Sequence, residues 1–393
     1  MYGMPGTRSA PWPDRIRPTS MSTPPSTVRL LSTNGGSIGS PSTLLAKTID
    51  LDRHLAGCHK WSAAPRRGKQ PHDAHFPIRL LVAMSRYVTK KVLANALYGQ
   101  VLLCQDSHTG DMVAIKRIHV AASAARQGLH TLCTVSDDIG MEKAVHECLS
   151  SHGGHSHVLR LRHSFVQQGY DHLVMDYCPN GDLFDLVNKV TLDPAVVQRY
   201  FRQIVHGVAF MHSRGFAHRD LSLENVLLDD RHNCHVCDFG LVAPTTELRK
   251  DMVGKPFYMA PEIVAKQVYS PVKADVWSLG VMLFMMLTGA PLCETASPED
   301  SRFHYFLKNG LRSLLHSWKL SHRFDCETLD LVEKMLHPNP KERVSMVQVL
   351  QHPYVGGRQP VPAQKHSNKS TNTARPSFVQ RWISRAQKAV KAY

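Results

Sequence analysis

A change of hydrophobic pattern near the middle of this 393-residue chain most constrains its fold. Short β-rich runs such as "YGQVLLC" and "MVAIKRI" fill residues 87–119, and a helical pattern follows at 141–149. From about residue 190 to residue 353 helical periods dominate, as in "VVQRYFRQIVHGVAFMHS". Elements of these two kinds form separate layers around their cores. We therefore predict an α+β protein with a small β-rich lobe, a larger helical lobe and a ligand cleft between them.

The two ends of the chain differ from its middle in charge. The formal net charge is +15, but residues 81–356 hold 28 basic and 28 acidic side chains, so the surplus belongs to the ends. Residues 1–80 are rich in Ser, Thr and Pro and predict a disordered basic region. Residues 357–393 predict a basic tail, in which "SFVQRWISRAQKAVKAY" has the spacing of an amphipathic helix. This tail would dock on an acidic membrane or a partner protein, or stay solvated, and we expect no specific nucleic-acid binding.

The sequence predicts a reducing compartment. Its nine cysteines are scattered without a disulfide framework, and the first residues lack the apolar core of a secretory signal. The apolar stretch 276–293 is interrupted by Gly280, Gly289 and Pro291, which favours a buried helix over a membrane span. The run 234–237, Cys-His-Val-Cys, has no second pair of ligands and is interpreted as a strand. We expect the protein in the cytoplasm, with the nucleus as the alternative.

Six short motifs follow one another between residues 87 and 356. They are "VAIK" at 113–116, "HRDLSLEN" at 218–225, "CDFG" at 237–240, "YMAPE" at 258–262, "ADVWSLGV" at 274–281 and "PKERVSMVQVLQHPYV" at 340–355. Each of them is a weak signal alone, whereas six in this order are a strong one.

This ordered set resembles the protein kinase family, and its serine/threonine branch in particular, over about residues 87–356. The resemblance implies the bilobal kinase fold, with an N-lobe at 87–176 and a C-lobe at 179–356. It also implies ATP and Mg²⁺ as cofactors and protein hydroxyls as acceptors. By the same resemblance Lys116 holds the α- and β-phosphates, Asp220 is the catalytic base, and Asn225 and Asp238 bind the metal.

The resemblance locates the nucleotide site as well. The hinge at 175–178 would contact adenine through its backbone, Val101, Ala114 and Leu227 would enclose the purine, and Asp182 would meet the ribose. The residues expected to contact the nucleotide are Leu93, Ala94, Asn95, Ala96, Leu97, Tyr98, Gly99, Gln100, Val101, Ala114, Lys116, Glu142, Met175, Asp176, Cys178, Asp182, Leu227 and Asp238. In the C-lobe, Arg343 is the expected partner of Glu262.

Two glutamates compete as the partner of the Lys116 amine. Positions three and seven residues after Glu142 are apolar, whereas the same offsets from Glu147 fall on Ser150 and Gly154. Glu142 therefore lies on the helix face that is expected to be buried, and we select it. His146, one turn beyond it, is expected to be a neutral buried imidazole rather than a metal ligand.

The loop that covers the phosphates departs from the family pattern. The G-x-G-x-x-G sequence becomes Ala94-Asn95-Ala96-Leu97-Tyr98-Gly99, so two of its three glycines are alanine. Glycine allows positive φ and a close approach of the backbone to phosphate, and alanine is penalised where φ must be positive. We expect weaker or slower nucleotide binding, without loss of it.

A second departure concerns a lysine. Serine/threonine kinases carry a lysine two residues after the catalytic aspartate, and this chain has Ser222 there. The family also usually reads Gly-Thr-Pro where this chain has Gly254-Lys255-Pro256. The hydroxyl and the ammonium have exchanged positions. Our hypothesis is that Lys255 reaches across the cleft to Asp220 and the γ-phosphate, with Ser222 hydrogen-bonded to it, and that both are catalytic residues.

A third departure bears on regulation. Asp251 stands three residues before Gly254, where many kinases carry a phosphorylated threonine. A carboxylate there could pair with Arg219 and order the segment without modification. The alternatives are a solvated Asp251, or control through Thr245 or Thr246.

Two functions from different classes remain open on the sequence. One is an active serine/threonine protein kinase, because every expected metal-binding and hydroxyl-positioning residue is present. The other is a pseudokinase that acts as a nucleotide-binding or scaffold module, which the two alanines and Ser222 favour.

Overall fold

The computed structural model of the chain describes residues 85–96, 98–121 and 139–356. The predicted N-terminal basic region, Leu97 and the predicted basic tail lie outside these ranges.

The first lobe is a five-stranded antiparallel sheet with one helix. The strands lie in the order β1-β2-β3-β5-β4, and helix α1 packs against β4. The elements are β1 Tyr87–Ala96, β2 Gly99–Asp106, β3 Met112–His119, α1 Ile139–Ser150, β4 Leu161–Gln167 and β5 Tyr170–Asp176. The pairing aligns Lys116 of β3 with Val101 of β2 on one side and with Leu173 of β5 on the other. The lysine therefore lies in the middle of the sheet.

The second lobe is mainly helical. Its helices are α2 Leu183–Lys189, α3 Pro194–Ser213, α4 Pro261–Val264, α5 Pro271–Thr288, α6 Ser301–Ser317, α7 Cys326–Met335, α8 Met346–Gln351 and α9 Pro353–Gly356. Two small antiparallel sheets pair β6 Phe216–Ala217 with β9 Ala243–Pro244, and β7 Val226–Leu228 with β8 Cys234–Val236. Single 3-10 turns occur at Ser151–Gly153, Leu223–Asn225, Pro256–Tyr258 and Ser321–Arg323.

Local sequence signals explain where the longest helices begin and end. Helix α3 begins after Asp193, whose carboxylate accepts the Ala195 N–H, and proline occupies its first turn. Helix α5 also begins with proline and ends at Gly289, which has a left-handed conformation with φ of +73°. These caps satisfy backbone groups that a helix leaves unpaired at its ends.

Helix α5 is the centre of the helical lobe. Fifteen of its eighteen residues are buried, from Pro271 to Leu287. By length and composition alone this helix could cross a membrane, but most of its apolar window lies inside the folded domain. It contacts α3, α7 and α8, so it is the core helix that the sequence predicted. Strand β8 likewise takes up most of the Cys-His-Val-Cys run, and the described ranges contain no cluster of three metal-ligating side chains.

Candidate active site

Lys116 lies at the centre of a charged cluster between the lobes. Its Nζ is 2.5 Å from Oε1 of Glu142 and 3.9 Å from Oδ1 of Asp238. Glu142 is almost fully buried on α1, whereas Glu147 lies on the exposed face of that helix and accepts a hydrogen bond from Ser164. The helical period therefore selected the glutamate that the structure brings to the lysine.

Asp238 provides a carboxylate at the mouth of this cluster. Its side chain is about half exposed, and its φ of +66° lies in the left-handed region. That conformation costs a non-glycine residue on the order of 1 kcal/mol or more, and such strain concentrates at functional sites. The charge of the nearby Lys116 ammonium lowers the pKa of Asp238. The carboxylate is therefore ionised at neutral pH.

Asp220 and Asn225 are joined by the loop between β6 and β7. The Asn225 amide nitrogen donates to the Asp220 backbone carbonyl at 2.7 Å and to its Oδ2 at 2.8 Å. Because the nitrogen is used in this way, the amide oxygen of Asn225 is the atom presented to a cation. Carboxylate and amide oxygens are the donors that Mg²⁺ prefers, so Asn225 and Asp238 have suitable chemistry for that metal.

Lys255 extends to the same carboxylate from a different segment. Its Nζ is 2.9 Å from Oδ2 of Asp220 and 2.9 Å from Oγ of Ser222, and its backbone N–H donates to Oδ1 of Asp220 at 3.2 Å. Ser222 is fully buried. The structure thus brings together the three residues that the exchanged positions linked in the sequence.

We call residues 239–261 the activation segment. Asp251 of this segment accepts a hydrogen bond from Arg219 Nη1 at 2.6 Å and another from Arg249 Nε at 3.2 Å. Burial opposes ionisation of Asp251, but the hydrogen bond and charge of Arg219 outweigh it and keep the pKa below its usual value. Thr245, the alternative regulatory position, donates its backbone N–H to Gly215.

Several of the residues expected around the nucleotide base lie close together. Met175 and Cys178 are buried in one apolar cluster with Tyr98, against which Leu227 packs. Ala114 on β3 pairs with Met175 on β5. The Asp176 side chain is bound by Arg160 and Arg162, and its backbone N–H donates to the Arg160 carbonyl at 3.1 Å. Its backbone carbonyl is therefore the group that a base could use.

The loop that is predicted to cover the phosphates is part of the β1–β2 hairpin. Ala94 pairs with Val101, Asn95 with Gln100 and Ala96 with Gly99, while the preceding Leu93 is exposed. Neither alanine has positive φ, so neither is strained in this conformation. Gly99 differs, because a Cβ there would lie 1.8 Å from the Arg117 carbonyl oxygen.

Asp182 has a structural contact that the sequence did not indicate. Its Oδ1 accepts the backbone N–H of Asp185 at 2.7 Å and caps helix α2. The capping hydrogen bond fixes the position of the Asp182 carboxylate. The ribose contact expected of Asp182 stays a prediction.

The protein kinase domain family matches residues 87–355. The chain belongs to the protein kinase family. Both the predicted family and the α+β bilobal fold are therefore confirmed. The buried Arg343 and Glu262 form an ion pair through two hydrogen bonds, with N–O distances of 2.7 and 2.9 Å. This ion pair joins helix α4, which begins at the end of the activation segment, to the segment before α8.

Individual kinases resemble the chain at moderate identity. CBL-interacting protein kinase 30 of Oryza sativa subsp. japonica is 34% identical over 280 residues, which are 70% of this chain and 55% of that protein. CBL-interacting serine/threonine-protein kinase 13 of Arabidopsis thaliana is 31% identical over 276 residues, 69% of this chain and 51% of that protein. Maternal embryonic leucine zipper kinase of Danio rerio is 30% identical over 289 residues, 72% of this chain and 40% of that protein. The chain spans about half the length of the curated relatives it matches.

One kinase-domain residue that positions the site was missed by the sequence analysis. Asp275, fully buried at the start of α5, accepts the backbone N–H groups of His218 and Arg219, each at 2.8 Å, and lies 2.7 Å from His212 Nε2. It fixes the loop that carries Asp220. The available signal was an acidic residue at the start of an apolar run, since a buried carboxylate needs several donors.

A second set of missed residues lies behind Ser222. Burial raises the pKa of Glu224, and its Oε2 accepts a hydrogen bond from the Tyr258 hydroxyl at 3.0 Å. Tyr258 in turn accepts the Leu223 N–H, and its carbonyl accepts from Ser278 of α5. This network ties the end of the activation segment to the loop that carries Asp220.

Proposed function

We propose that this chain transfers the γ-phosphoryl group of ATP to serine or threonine hydroxyls of protein substrates. The observation that carries the proposal is that the carboxylates of Glu142 and Asp238 both lie within 4 Å of the Lys116 amine. Phosphoryl transfer depends mainly on positioning and charge neutralisation, and this cluster suits a triphosphate. The serine/threonine names of the related kinases support the choice of acceptor.

Asn225 and Asp238 would hold Mg²⁺, with the carboxylate and the amide oxygen as ligands. The bound metal would neutralise charge on the phosphates of the substrate nucleotide. Lys116, kept in place by Glu142, would bind the α- and β-phosphates. The residues of the β1–β2 hairpin would cover them, with Ala94 and Ala96 weakening this contact relative to glycine.

Asp220 is the proposed catalytic base. Its Oδ2 receives two donors, from Asn225 and Lys255, whereas the described residues give its Oδ1 only the longer backbone bond at 3.2 Å. Oδ1 is therefore the oxygen that would orient the acceptor hydroxyl and take its proton.

Lys255 is the proposed source of the positive charge beside the transferred phosphate. An ammonium has three N–H donors, and within the described part of the chain two of them bind Asp220 and Ser222. The third is left for a phosphoryl oxygen. Ser222, which accepts from the amine, would keep it at the required place.

Radiolabelled ATP with a generic basic protein tests the proposed activity. The parent chain should label the protein on serine or threonine, as read by phosphoamino-acid analysis. Asp220→Asn should reduce labelling by at least about 10²-fold, and Asp230→Asn, which changes an exposed aspartate nearby, should not. Equal labelling by the parent and Asp220→Asn would refute the proposal.

The second candidate is a nucleotide-binding scaffold without transfer. The specific observation in its favour is that two glycines are absent from the phosphate loop, while Asp220 is already bound by an amine. A chain that binds ATP in calorimetry but labels no acceptor would be this scaffold.

The basic tail at 357–393 would give the kinase a second kind of contact. We propose an acidic membrane or an acidic partner protein for it, and the cytoplasm as its location. Two of the relatives, the rice and Arabidopsis kinases, are named for interaction with CBL, which is a statement about those proteins.

A further inference from the structure

The Lys255 amine lies on a different structural element from Asp220, the proposed base that it contacts. Asp220 belongs to the loop between β6 and β7, while Lys255 belongs to the activation segment. The amine reaches Asp220 and Ser222, 2.9 Å from each, only because the activation segment passes close to that loop. The position of this charge is therefore determined by whatever fixes the activation segment.

Asp251 is one of the residues that fix it. Arg219 Nη1 donates to Asp251 at 2.6 Å, and the guanidinium is only 5% exposed. The same guanidinium also donates to the Leu241 carbonyl at 2.7 Å and to the Tyr269 hydroxyl at 3.3 Å. A buried, multiply bonded arginine is a rigid attachment point, so its bond to Asp251 is stronger than an exposed ion pair.

The four residues that follow transmit this attachment to the amine. Gly254 has a φ of +97°, and a Cβ there would lie 2.8 Å from the Arg219 carbonyl oxygen. The activation segment therefore meets Arg219 twice: Asp251 bonds to its side chain, and Gly254 packs closely against its backbone carbonyl. Lys255 comes next, and its backbone N–H already bonds to Asp220. Little freedom remains between the attachment point and the amine.

We propose that Asp251 is a positioning residue for phosphoryl transfer that acts through Lys255. The inference rests on the proposed kinase function and adds a regulatory consequence to it. The charge beside the transferred phosphate is in place only while Asp251 holds Arg219, and a fixed carboxylate supplies this contact without phosphorylation. Activity is thereby constitutive, but it depends on the activation segment more directly than it would with the lysine at position 222.

The contrast with a lysine at position 222 provides the test. That position belongs to the loop anchored by Asp275 and Asn225, which does not need Asp251. The variant Ser222→Lys/Lys255→Thr moves the charge onto this loop. In the parent, Asp251→Asn should lower kcat on the order of tenfold, with little change in the KM for ATP. In the exchanged variant, the same substitution should lower kcat by less than about threefold.

Two controls address a merely structural role. Glu247→Gln removes a neighbouring carboxylate that contacts Arg249 rather than Arg219, and it should leave kcat within about twofold in both backgrounds. Asp251→Glu, which keeps the charge, should restore most of the lost rate. An equal loss from Asp251→Asn in both backgrounds would overturn the inference, because Asp251 would then act independently of Lys255.

If the exchanged variant does not fold, a double-mutant cycle of Asp251→Asn with Lys255→Thr tests the same inference. Asp251→Asn should cost no further activity once Lys255→Thr has been made, and additive losses would overturn the inference. Amide hydrogen exchange at 252–256 should be faster in Asp251→Asn than in the parent and unchanged in Glu247→Gln. Unchanged exchange in Asp251→Asn would also overturn it. An inactive parent, equal to Asp220→Asn, would instead refute the proposed function itself.

Discussion

At the scale of single residues, the exchange between positions 222 and 255 keeps one hydroxyl and one ammonium beside Asp220 while changing which segment carries the charge. The contacts of Lys255 with Asp220 and Ser222, each at 2.9 Å, are short enough for charge-assisted hydrogen bonds. The reciprocal exchange therefore favours a site that uses this charge over a site that has decayed.

Replacing Lys255 tests whether its charge is used in the reaction. Lys255→Ala should lower kcat by about 10²-fold, because a preorganised charge beside the developing transition state is lost. Steady-state labelling kinetics measure it. Lys250→Ala is the matched control, since it removes an exposed lysine of the same segment. A kcat for Lys255→Ala within about threefold of the parent, under about 1 kcal/mol, would contradict the proposed role.

The retained glycine of the phosphate loop is explained by packing rather than by φ. A Cβ at Gly99 would meet the Arg117 carbonyl oxygen at 1.8 Å, so the β2–β3 pairing would have to shift. Gly99→Ala should lower the free energy of unfolding by about 2 kcal/mol or more. Ala96→Gly, at the residue that pairs with Gly99 across the β1–β2 hairpin, should change it by less than about 1 kcal/mol. Urea unfolding measures both, and equal effects would show that the clash relaxes freely.

At the scale of elements, the sequence predicted what depends on local pattern. The helical pattern at 141–149 corresponds to α1 at Ile139–Ser150, and the apolar run at 276–293 largely corresponds to the buried helix α5. Periodicity also selected Glu142, because a buried helix face is readable from its apolar neighbours. Family motifs indicated Lys116 and Asp238, which the fold then brings together from β3 and from the residue just before the activation segment.

The sequence could not predict contacts that arise only from tertiary folding. Asp275 accepts backbone N–H groups from a loop 57 residues earlier in the chain, and no pattern in either segment encodes that partner. The cap made by Asp182 was missed because its carboxylate was interpreted as a ribose contact, and the ion pairs of Asp176 were missed because only the backbone of that residue was given a role. Burial of Tyr98 in one apolar cluster with Met175 and Cys178 likewise depends on the fold of the sheet.

Helix α1 contacts the CDFG motif through a histidine. His146 is buried, its Nε2 bonds to the Leu159 carbonyl at 3.0 Å, and its ring meets Phe239 edge-on at 4.8 Å between centroids. Burial lowers the pKa of His146 from 6.5 to about 4, and the Lys116 ammonium adds to this while the bond to Leu159 and the Asp238 carboxylate oppose it. The imidazole is therefore neutral at pH 7, as the sequence analysis expected.

Stability should consequently fall on acidification. Between pH 6.5 and pH 4 the unfolded chain binds a proton at His146 that the folded chain does not, so this residue alone should cost about 2 kcal/mol between pH 7 and pH 5. His146→Leu should remove that share of the pH dependence, measured by urea unfolding at both pH values. His206→Leu, at an exposed histidine, should retain it. An unchanged slope in His146→Leu would mean that the ring titrates normally.

The activation segment should not need phosphorylation. Asp251 already provides the carboxylate that binds Arg219, and its lowered pKa keeps it ionised at neutral pH. The chain made in bacteria and treated with phosphatase should therefore keep its activity within about twofold, with complete dephosphorylation verified by mass spectrometry. Full loss of activity would point instead to Thr245 or Thr246 as a regulatory phosphorylation site.

At the scale of the whole molecule, charge separates the catalytic domain from the ends of the chain. Residues 81–356 are neutral, while residues 357–393 carry a formal charge of +8 and lie outside the described residues. A surface charge acts over about a Debye length, roughly 8 Å at physiological salt. Attraction to acidic surfaces should therefore depend on the ends and leave the chemistry of the cleft unchanged.

Vesicle sedimentation tests this separation of tasks. Deleting residues 357–393 should weaken binding to vesicles rich in phosphatidylserine by tenfold or more, because each basic side chain near such a surface contributes about 1 kcal/mol. The kcat toward a soluble substrate should stay within about twofold of the parent. Trp382→Ala should weaken binding to a smaller extent if the predicted apolar face inserts, and high salt should abolish the electrostatic share. Equal binding by the full and shortened chains would mean that residues 1–80, the other basic end, carry the attraction.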